Sequence, residues 1–346
     1  MHFGYWTPVY GGFLRNIEDE NMPPTWETIK KISLEADRLG YHTTLIPELY
    51  LNDRKGIEAP SLEAWSLTAA VLAVTEQLRV MTAIRPGFHL PTVAAKRIST
   101  INSIAPERLC LNVVAAWWAE EAKQFNGQFP PHDERYDQAA EFVQVLSGAL
   151  QESPYSFRGK YFEANETIVE PKLESPLGIF AGGESAVGRD AISNFADAYA
   201  MHGGTVEEIA EKIAAMNQLR ASKDKPPMRE FAMSAYVIVR DTEREAYEEL
   251  ERITTVDPNA PGYASFKEFT ENSTLDFKIS AREYAVGTRG LRPQLVGTPE
   301  QVAEKIRAYE DVGLDLLLIQ SSPLPDELER IATDVFPLVN SVPVSV

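Results

Sequence analysis

The sequence predicts a parallel α/β fold, a closed (β/α)8 barrel. Three observations predict it. Eight short, almost continuously apolar runs read as strands buried on both faces. Segments of helical period separate them at a steady rate, which is the rhythm of a parallel sheet. The rhythm is interrupted twice, at 153–176 and 256–296, without a second pattern beginning, so the 346 residues form one domain with insertions.

In chain order, strand one is expected at 3–9, closed by Pro8 and Gly11-Gly12, and a helix at 25–39 carries Ile29, Ile32, Leu34, Ala36 and Leu39 before Gly40 stops it. Strand two follows at 42–47, a polar loop at 48–60, and a helix from Ser61 to about Thr75. Strand three is expected at 78–84, and a helix at 91–104 opens on Pro91, where the missing amide hydrogen is not needed. Strand four, 109–114, leads into AAWWAEEAKQFNGQFPPHDERY, and a helix runs from about Asp133 to Leu150. The first interruption, 153–176, alternates with Pro and Gly breaks and reads as a hairpin. Strands five and six are expected at 178–181 and 198–202, with helices at 206–221 and 242–254 around strand seven, 231–240. After 256–296, a helix at 298–313 and strand eight at 314–320 complete the set, and eight parallel strands favour a closed TIM barrel over an open sheet.

The formal net charge of −18 disfavours nucleic acid or an anionic membrane as a partner. Its single cysteine, Cys110, excludes an internal disulfide and lies in an apolar strand, where core packing is expected. Neither a signal-peptide pattern nor an apolar run near the roughly 18–20 residues of a membrane span is present, so a cytoplasmic protein is expected. The five histidines, at 2, 42, 89, 132 and 202, have no metal-site spacing, and no metal is expected.

Functional groups of such a barrel gather where strands end. The turn Ala181-Gly182-Gly183-Glu184-Ser185 is the candidate phosphate site: glycines let backbone approach an anion, and Ser185 opens a helix whose free amides face it. Arg135 and Tyr136 are candidates for the other half of that clamp. His89 and His202, at strand ends, are the candidate proton-transfer histidines. These features describe a barrel with an anion corner and an aromatic pocket. By themselves they name no reaction.

Several short segments stand in a common order: Ala36-Asp37-Arg38-Leu39-Gly40-Tyr41 with Leu45-Ile46-Pro47, Ala83-Ile84-Arg85-Pro86-Gly87, Leu111-Asn112-Val113-Val114, His132-Asp133-Glu134-Arg135-Tyr136, Gly182-Gly183-Glu184-Ser185 and Leu295-Val296-Gly297-Thr298-Pro299. In these the chain resembles the bacterial-luciferase superfamily of flavin-dependent monooxygenases, nearest to alkanesulfonate and dimethyl-sulfone monooxygenases. The resemblance implies a luciferase-like barrel that takes reduced FMN from a separate NAD(P)H-dependent flavin reductase and uses dioxygen, through a C4a-peroxyflavin, to oxygenate a small, plausibly organosulfur substrate. By position it implies that Glu48 and Leu49 touch the isoalloxazine, that Asn112 and Glu121 approach its polar edge, and that Arg135, Tyr136, Gly183 and Ser185 hold the phosphate. It implies a homo-oligomer, dimer or tetramer, and a lid at 256–296 bearing Arg282, Arg289 and Arg292. Arg289 and Arg292, with Tyr236 and His89, are the expected catalytic residues. Ser61, Ser234-Ala235-Tyr236 and Ser322 depart from the alkanesulfonate pattern, so a sulfonate, a sulfone or another small oxidisable molecule stays open as substrate. A deazaflavin-dependent hydride-transfer enzyme and a flavin-binding protein without turnover are the alternatives on the same barrel.

Overall fold

The structure, a computed structural model, describes residues 1–257, 259–264, 266, 280–287 and 290–340. Strand β1 (His2–Trp6) leads through a loop to helix α1 (Trp26–Arg38), whose cap Thr25 accepts from the amide of Thr28. Ile29, Ile32 and Ala36 of α1 turn inward, and Gly40 at φ +83° reverses the chain. Strand β2 (Thr43–Ile46) is buried throughout, and helix α2 (Ala64–Val74) begins after Glu63, whose carboxylate caps the amides of Trp65 and Ser66. Strand β3 (Arg79–Ile84), helix α3 (Pro91–Ile104) and strand β4 (Leu109–Val114) follow the expected pattern closely.

Beyond β4 the chain forms a short helix α4 (Ala119–Gln124), which the sequence pattern does not announce, and then helix α5 (His132–Gln151). The first insertion is an antiparallel hairpin, β5 (Tyr155–Arg158) with β6 (Glu163–Thr167). Strand β7 (Gly178–Gly182), helix α6 (Ala186–Phe195), strand β8 (Ala198–Met201) and helix α7 (Val206–Ala221) continue the alternation. The long strand expected at 231–240 is instead two. Strand β9 (Glu230–Tyr236) stays in the barrel, whereas β10 (Ile238–Val239) leaves it to pair with β11 (Val296–Gly297). The break has a physical cause: the amide of Val237 still donates to Gln320 O at 2.9 Å as the last bond of the β9–β12 ladder, but on the other edge the amide of Tyr236 donates to Gly290 O at 2.8 Å, so barrel pairing ends there. Helices α8 (Glu243–Thr254), α9 (Ala281–Tyr284) and α10 (Pro299–Asp311) precede strand β12 (Leu316–Gln320), and α11 (Leu324–Asp334) and α12 (Phe336–Asn340) close the described chain.

The barrel closes in the order β1-β12-β9-β8-β7-β4-β3-β2, with every neighbouring pair parallel. Strand periodicity then divides the core in two. Residues such as Leu109, Leu111 and Val113 face the helices, while Leu45, Met81, Cys110, Phe180, Ala198, Ala232, Leu316 and Leu318 fill the barrel interior. Cys110 is one of those interior residues, and burial pushes its thiol up to about 12, so it packs as an uncharged group. The same inward register, carried to the strand ends, delivers Trp6, Ala83, Asn112, Gly182, Ala200, Ser234 and Gln320 to the mouth.

Candidate functional site

A cavity of about 580 Å³ occupies that mouth, lined from the C-terminal ends of all eight barrel strands and the loops after them. Three groups of side chains define its chemistry.

The first is an anion corner at the start of α6. Ser185 caps this helix, its Oγ accepting from the amide of Gly188 at 3.0 Å, while Tyr199 Oη donates to Gly183 O at 2.8 Å and pins the preceding turn. Tyr136 presses its ring into the glycines: a methyl group at Gly183 would stand 2.6 Å from Tyr136 Oη, and one at Gly188 would stand 2.7 Å from Cζ. The glycines are therefore required by a neighbouring phenol as well as by an approaching ligand. Burial raises the ionisation of Tyr136, with Ser185 pulling it back, so the phenol is a hydrogen-bond donor at neutral pH. Arg135 donates to Ala116 O and lies over the Phe129 ring at 4.4 Å, and its buried Nε lacks a protein partner. Glu184 shares the corner but is neutralised by Lys212 Nζ at 2.9 Å, with His202 Nδ1 at 3.6 Å.

The second group is a buried arginine between two carboxylates. Arg85, at the end of β3, is 2% exposed. Its Nη1 pairs with Glu121 Oε2, its Nε lies 3.4 Å from Glu48 Oε2, and its own amide donates to that oxygen at 2.9 Å. Burial works against the arginine's charge, but Glu48 and Glu121 more than offset it, and its pKa is raised. The second oxygen of each carboxylate is also used: His89 Nε2 meets Glu48 Oε1 at 2.7 Å, and the amide of Tyr50 donates to Glu121 Oε1 at 2.5 Å. Phe88 covers the guanidinium at 4.1 Å. Arg85 Nη2 and Asn112 Oδ1, both buried on cavity-lining residues, have no protein partner.

The third group comes from the loops after β1 and β2. Arg15 Nη2 pairs with Asp53 Oδ2 at 2.8 Å, its Nη1 donates to Gly262 O at 3.0 Å, and Tyr284 lies under the guanidinium at 3.8 Å. Arg54 Nε stands 3.4 Å from Asp53 Oδ1. Burial disfavours charge at both Arg15 and Asp53. The outcome differs, for the Arg15 pKa is lowered, while Arg54 and Arg15 bring that of Asp53 below the usual carboxylate value.

Of the residues expected from sequence, Glu48, Leu49, Asn112, Arg135, Tyr136, Gly183 and Ser185 line this one cavity. Glu121 is fully buried behind Arg85 and His89 stands behind Glu48, so each is one side chain removed from the space. Tyr236 is buried at the end of β9 and Arg292 is held by Glu208 at the start of α7; neither lines the cavity. In this structure packing surrounds the Tyr236 phenol and Glu208 holds the Arg292 guanidinium. Arg289 lies outside the described residues, as does much of the lid expected at 256–296; the described part includes Gly262, Arg282, Tyr284, Gly287 and Gly290. Arg282 pairs with Glu251 and is not part of the cavity wall. Sequence reasoning places Tyr10 and Arg85 among the strand-end candidates without a specific role, and does not single out Arg15, Asp53 or Arg54. Arg85 had a signal, as a charged residue ending a buried strand; the others join loops with no common local pattern. Among the described residues no group of three or more His, Cys, Asp and Glu side chains forms a metal site, and no helix is long and apolar enough to cross a membrane.

The sequence profile of luciferase-like monooxygenases matches residues 1–316. The chain belongs to that family. Two relatives are similar to this luciferase-like monooxygenase along the whole chain. The FMNH(2)-dependent dimethylsulfone monooxygenase of Pseudomonas putida is 31% identical over 354 residues, covering 99% of this chain and 96% of its own. The protein of the same description from Pseudomonas fluorescens (strain Pf0-1) is 30% identical over 353 residues, covering 99% and 95%. Solved structures share the fold at lower identity. EDTA monooxygenase from Chelativorans sp. BNC1 superposes with a TM-score of 0.81 at 19% identity, covering 98% of this chain and 93% of that one. An F420-dependent secondary alcohol dehydrogenase reaches a TM-score of 0.74 at 16% identity, covering 98% and 99%. The luciferase-like monooxygenase therefore shares its barrel with enzymes of different cofactors, and the barrel alone does not choose among them.

Proposed function

We propose that the chain is a two-component monooxygenase that uses reduced FMN and dioxygen to oxygenate a small organosulfur compound, a dialkyl sulfone before an alkanesulfonate. The observation that carries the cofactor assignment is one cavity holding both a phosphate-type corner and unpartnered polar atoms within apolar walls. Arg135 with its free Nε, the Tyr136 hydroxyl, Gly183 and the amides opening α6 suit a phosphate. Leu45, Leu49, Ala83 and Val114 suit a flat ring system, and Asn112 Oδ1 and Arg85 Nη2 suit its polar edge. The residues present therefore fit FMN.

Reduced FMN, when bound, supplies the electrons with which one atom of dioxygen is transferred to the substrate. The protein's own part is binding, orientation and water exclusion. Arg85 fixes the two carboxylates, and Glu48 in the cavity wall, with His89 one side chain behind it, can hold or pass a proton. Tyr284, Gly287 and Gly290 belong to the inserted segment expected as a lid, and as cavity walls they limit water at the mouth. A separate NAD(P)H-dependent reductase, a cytoplasmic location and a homo-oligomer, dimer or tetramer, complete the proposal; Leu90, which precedes α3, and Val93 and Ile104 within it offer exposed apolar surface for the last.

The relatives described as FMNH(2)-dependent match the whole chain at 30% identity or above, which favours FMN over the deazaflavin alternative. The test is a screen of dialkyl sulfones and alkanesulfonates with FMN, NADH and a flavin reductase, following dioxygen uptake and sulfinate or sulfite release. Substrate-coupled uptake with a sulfone supports the reading. Hydride transfer to a deazaflavin without dioxygen consumption overturns it.

A further inference from the structure

The cavity has a second polar pole, opposite the anion corner. Around the barrel, β7 and β1 are four steps apart in either direction, so the turn after β7 and the loop after β1 face each other across the mouth. Tyr10 and Arg15 follow β1, Asp53 and Arg54 follow β2, and Gln320 ends β12, the other neighbour of β1. All five line the cavity.

Hydrogen bonding here is incomplete. Tyr10 is 5% exposed, yet its hydroxyl has no partner, and Arg54 Nη1 likewise donates no hydrogen bond, whereas Asp53 Oδ1, which accepts none, is compensated by the charge of Arg54 Nε at 3.4 Å. Leaving such groups unmet costs roughly 1–3 kcal/mol each, so a built arrangement of this kind implies an occupant that meets them. The cavity wall beside these groups is bare backbone at Gly287. Gly287 adopts φ +84°, and a methyl group on it would stand 3.4 Å from Arg54 Nη1 and 3.7 Å from Gln320 Oε1. A side chain there would sit between the guanidinium and the amide.

The charges specify the occupant further. Arg15, Arg54 and Arg85 face Asp53, Glu48 and Glu121, three of each sign among the described residues at this end of the cavity. A monoanion would leave an uncompensated charge in a largely enclosed space, whereas a neutral ligand with strongly polarised oxygens would not. Burial, first, and the carboxylates of Asp53 and Glu121 raise the Tyr10 ionisation against Arg54 and Arg85, so the phenol is present as a donor.

We propose that Tyr10, Arg54 and Gln320 form a recognition site for the paired oxygens of a neutral sulfonyl group. The proposal rests on the organosulfur reading above and adds the residues that select an uncharged sulfone from an anion. The test is titration of dimethyl sulfone, methanesulfonate and dimethyl sulfide into the FMN-loaded protein, followed by saturation-transfer NMR, for wild type, Tyr10→Phe, Arg54→Met and Arg54→Lys. Sulfone should bind more tightly than either of the others. Tyr10→Phe and Arg54→Met should each weaken it, the arginine change by roughly ten- to a hundredfold, with sulfide and FMN affinity unchanged and partial recovery in Arg54→Lys. Thermal melts of the FMN-loaded variants identify any loss of fold, and Tyr10→Phe, which removes one oxygen, carries the test if Arg54→Met unfolds. Sulfone affinity indifferent to both changes overturns the proposal, and so does tighter binding of methanesulfonate. Sulfone bound through these residues but not oxidised supports this site and overturns the functional reading, which keeps the two failures apart.

Discussion

The two poles of the cavity are built differently. The anion corner comes from two contiguous stretches, Arg135-Tyr136 and Gly182 to Ser185, each with its own local logic of helix start and glycine turn. The arginine–carboxylate network comes from residues far apart in the chain: Arg85 meets Glu48 and Glu121 across 37 and 36 residues, and Arg15 reaches Gly262 across 247. A corner of local origin tolerates loss of one contact, since the helix end persists. A network of buried charges does not, since each partner's removal strands another.

The largest expected effect follows directly. Arg85→Met leaves Glu48 and Glu121 buried without their shared counter-charge, and should lower stability by roughly 3–5 kcal/mol in urea melts. A variant melting like wild type would show that the network is not a structural unit. At the corner, Gly183→Ala forces a methyl group to within 2.6 Å of Tyr136 Oη and should cost about 1–3 kcal/mol. Adding Tyr136→Phe, which removes the crowded oxygen, should restore part of that stability; no recovery would mean that the clash is relieved elsewhere.

Ser185→Asp should be smaller still in stability, because aspartate also caps a helix. It places a negative charge where the phosphate is proposed to sit, and should weaken FMN binding by about tenfold. Unchanged affinity would move the phosphate to another part of the cavity.

These contrasts also explain what the sequence revealed. Strands at 109–114 and helices at 91–104 and 206–221 were legible because period and end signals agree locally. So was the capped start of α6 at Ser185. The split of the expected strand at 231–240 was not, since a backbone contact from Gly290 causes it. Nor was the Arg15–Asp53 pair, whose partners carry no mutual spacing rule. Arg292 shows the converse: the sequence reads it as an unpaired arginine in an inserted segment, and the structure pairs it with Glu208.

That pair gives the smallest expected effect. Arg292 and Glu208 are about a third exposed, so Arg292→Ala should cost under about 1 kcal/mol and leave FMN affinity unchanged. Arg292 is the main cause depressing the Glu208 pKa from 4.5 to about 2. A depressed carboxylate contributes stability above its unfolded value and loses it as pH falls through the folded one. The difference in melting temperature between wild type and Arg292→Ala should therefore be present at neutral pH and fade between about pH 4.5 and 2. A difference that grows on acidification would contradict the assignment.

The proposed activity has this cavity hold reduced FMN and direct one oxygen atom of dioxygen to an organosulfur substrate. Its most direct test is a single turnover in which FMN, reduced anaerobically on the protein, is mixed with isotopically labelled dioxygen and dimethyl sulfone. The expected result is flavin reoxidation with one labelled oxygen atom in the products of the sulfone. Reoxidation that yields only hydrogen peroxide, with unlabelled and unconsumed sulfone, would contradict it.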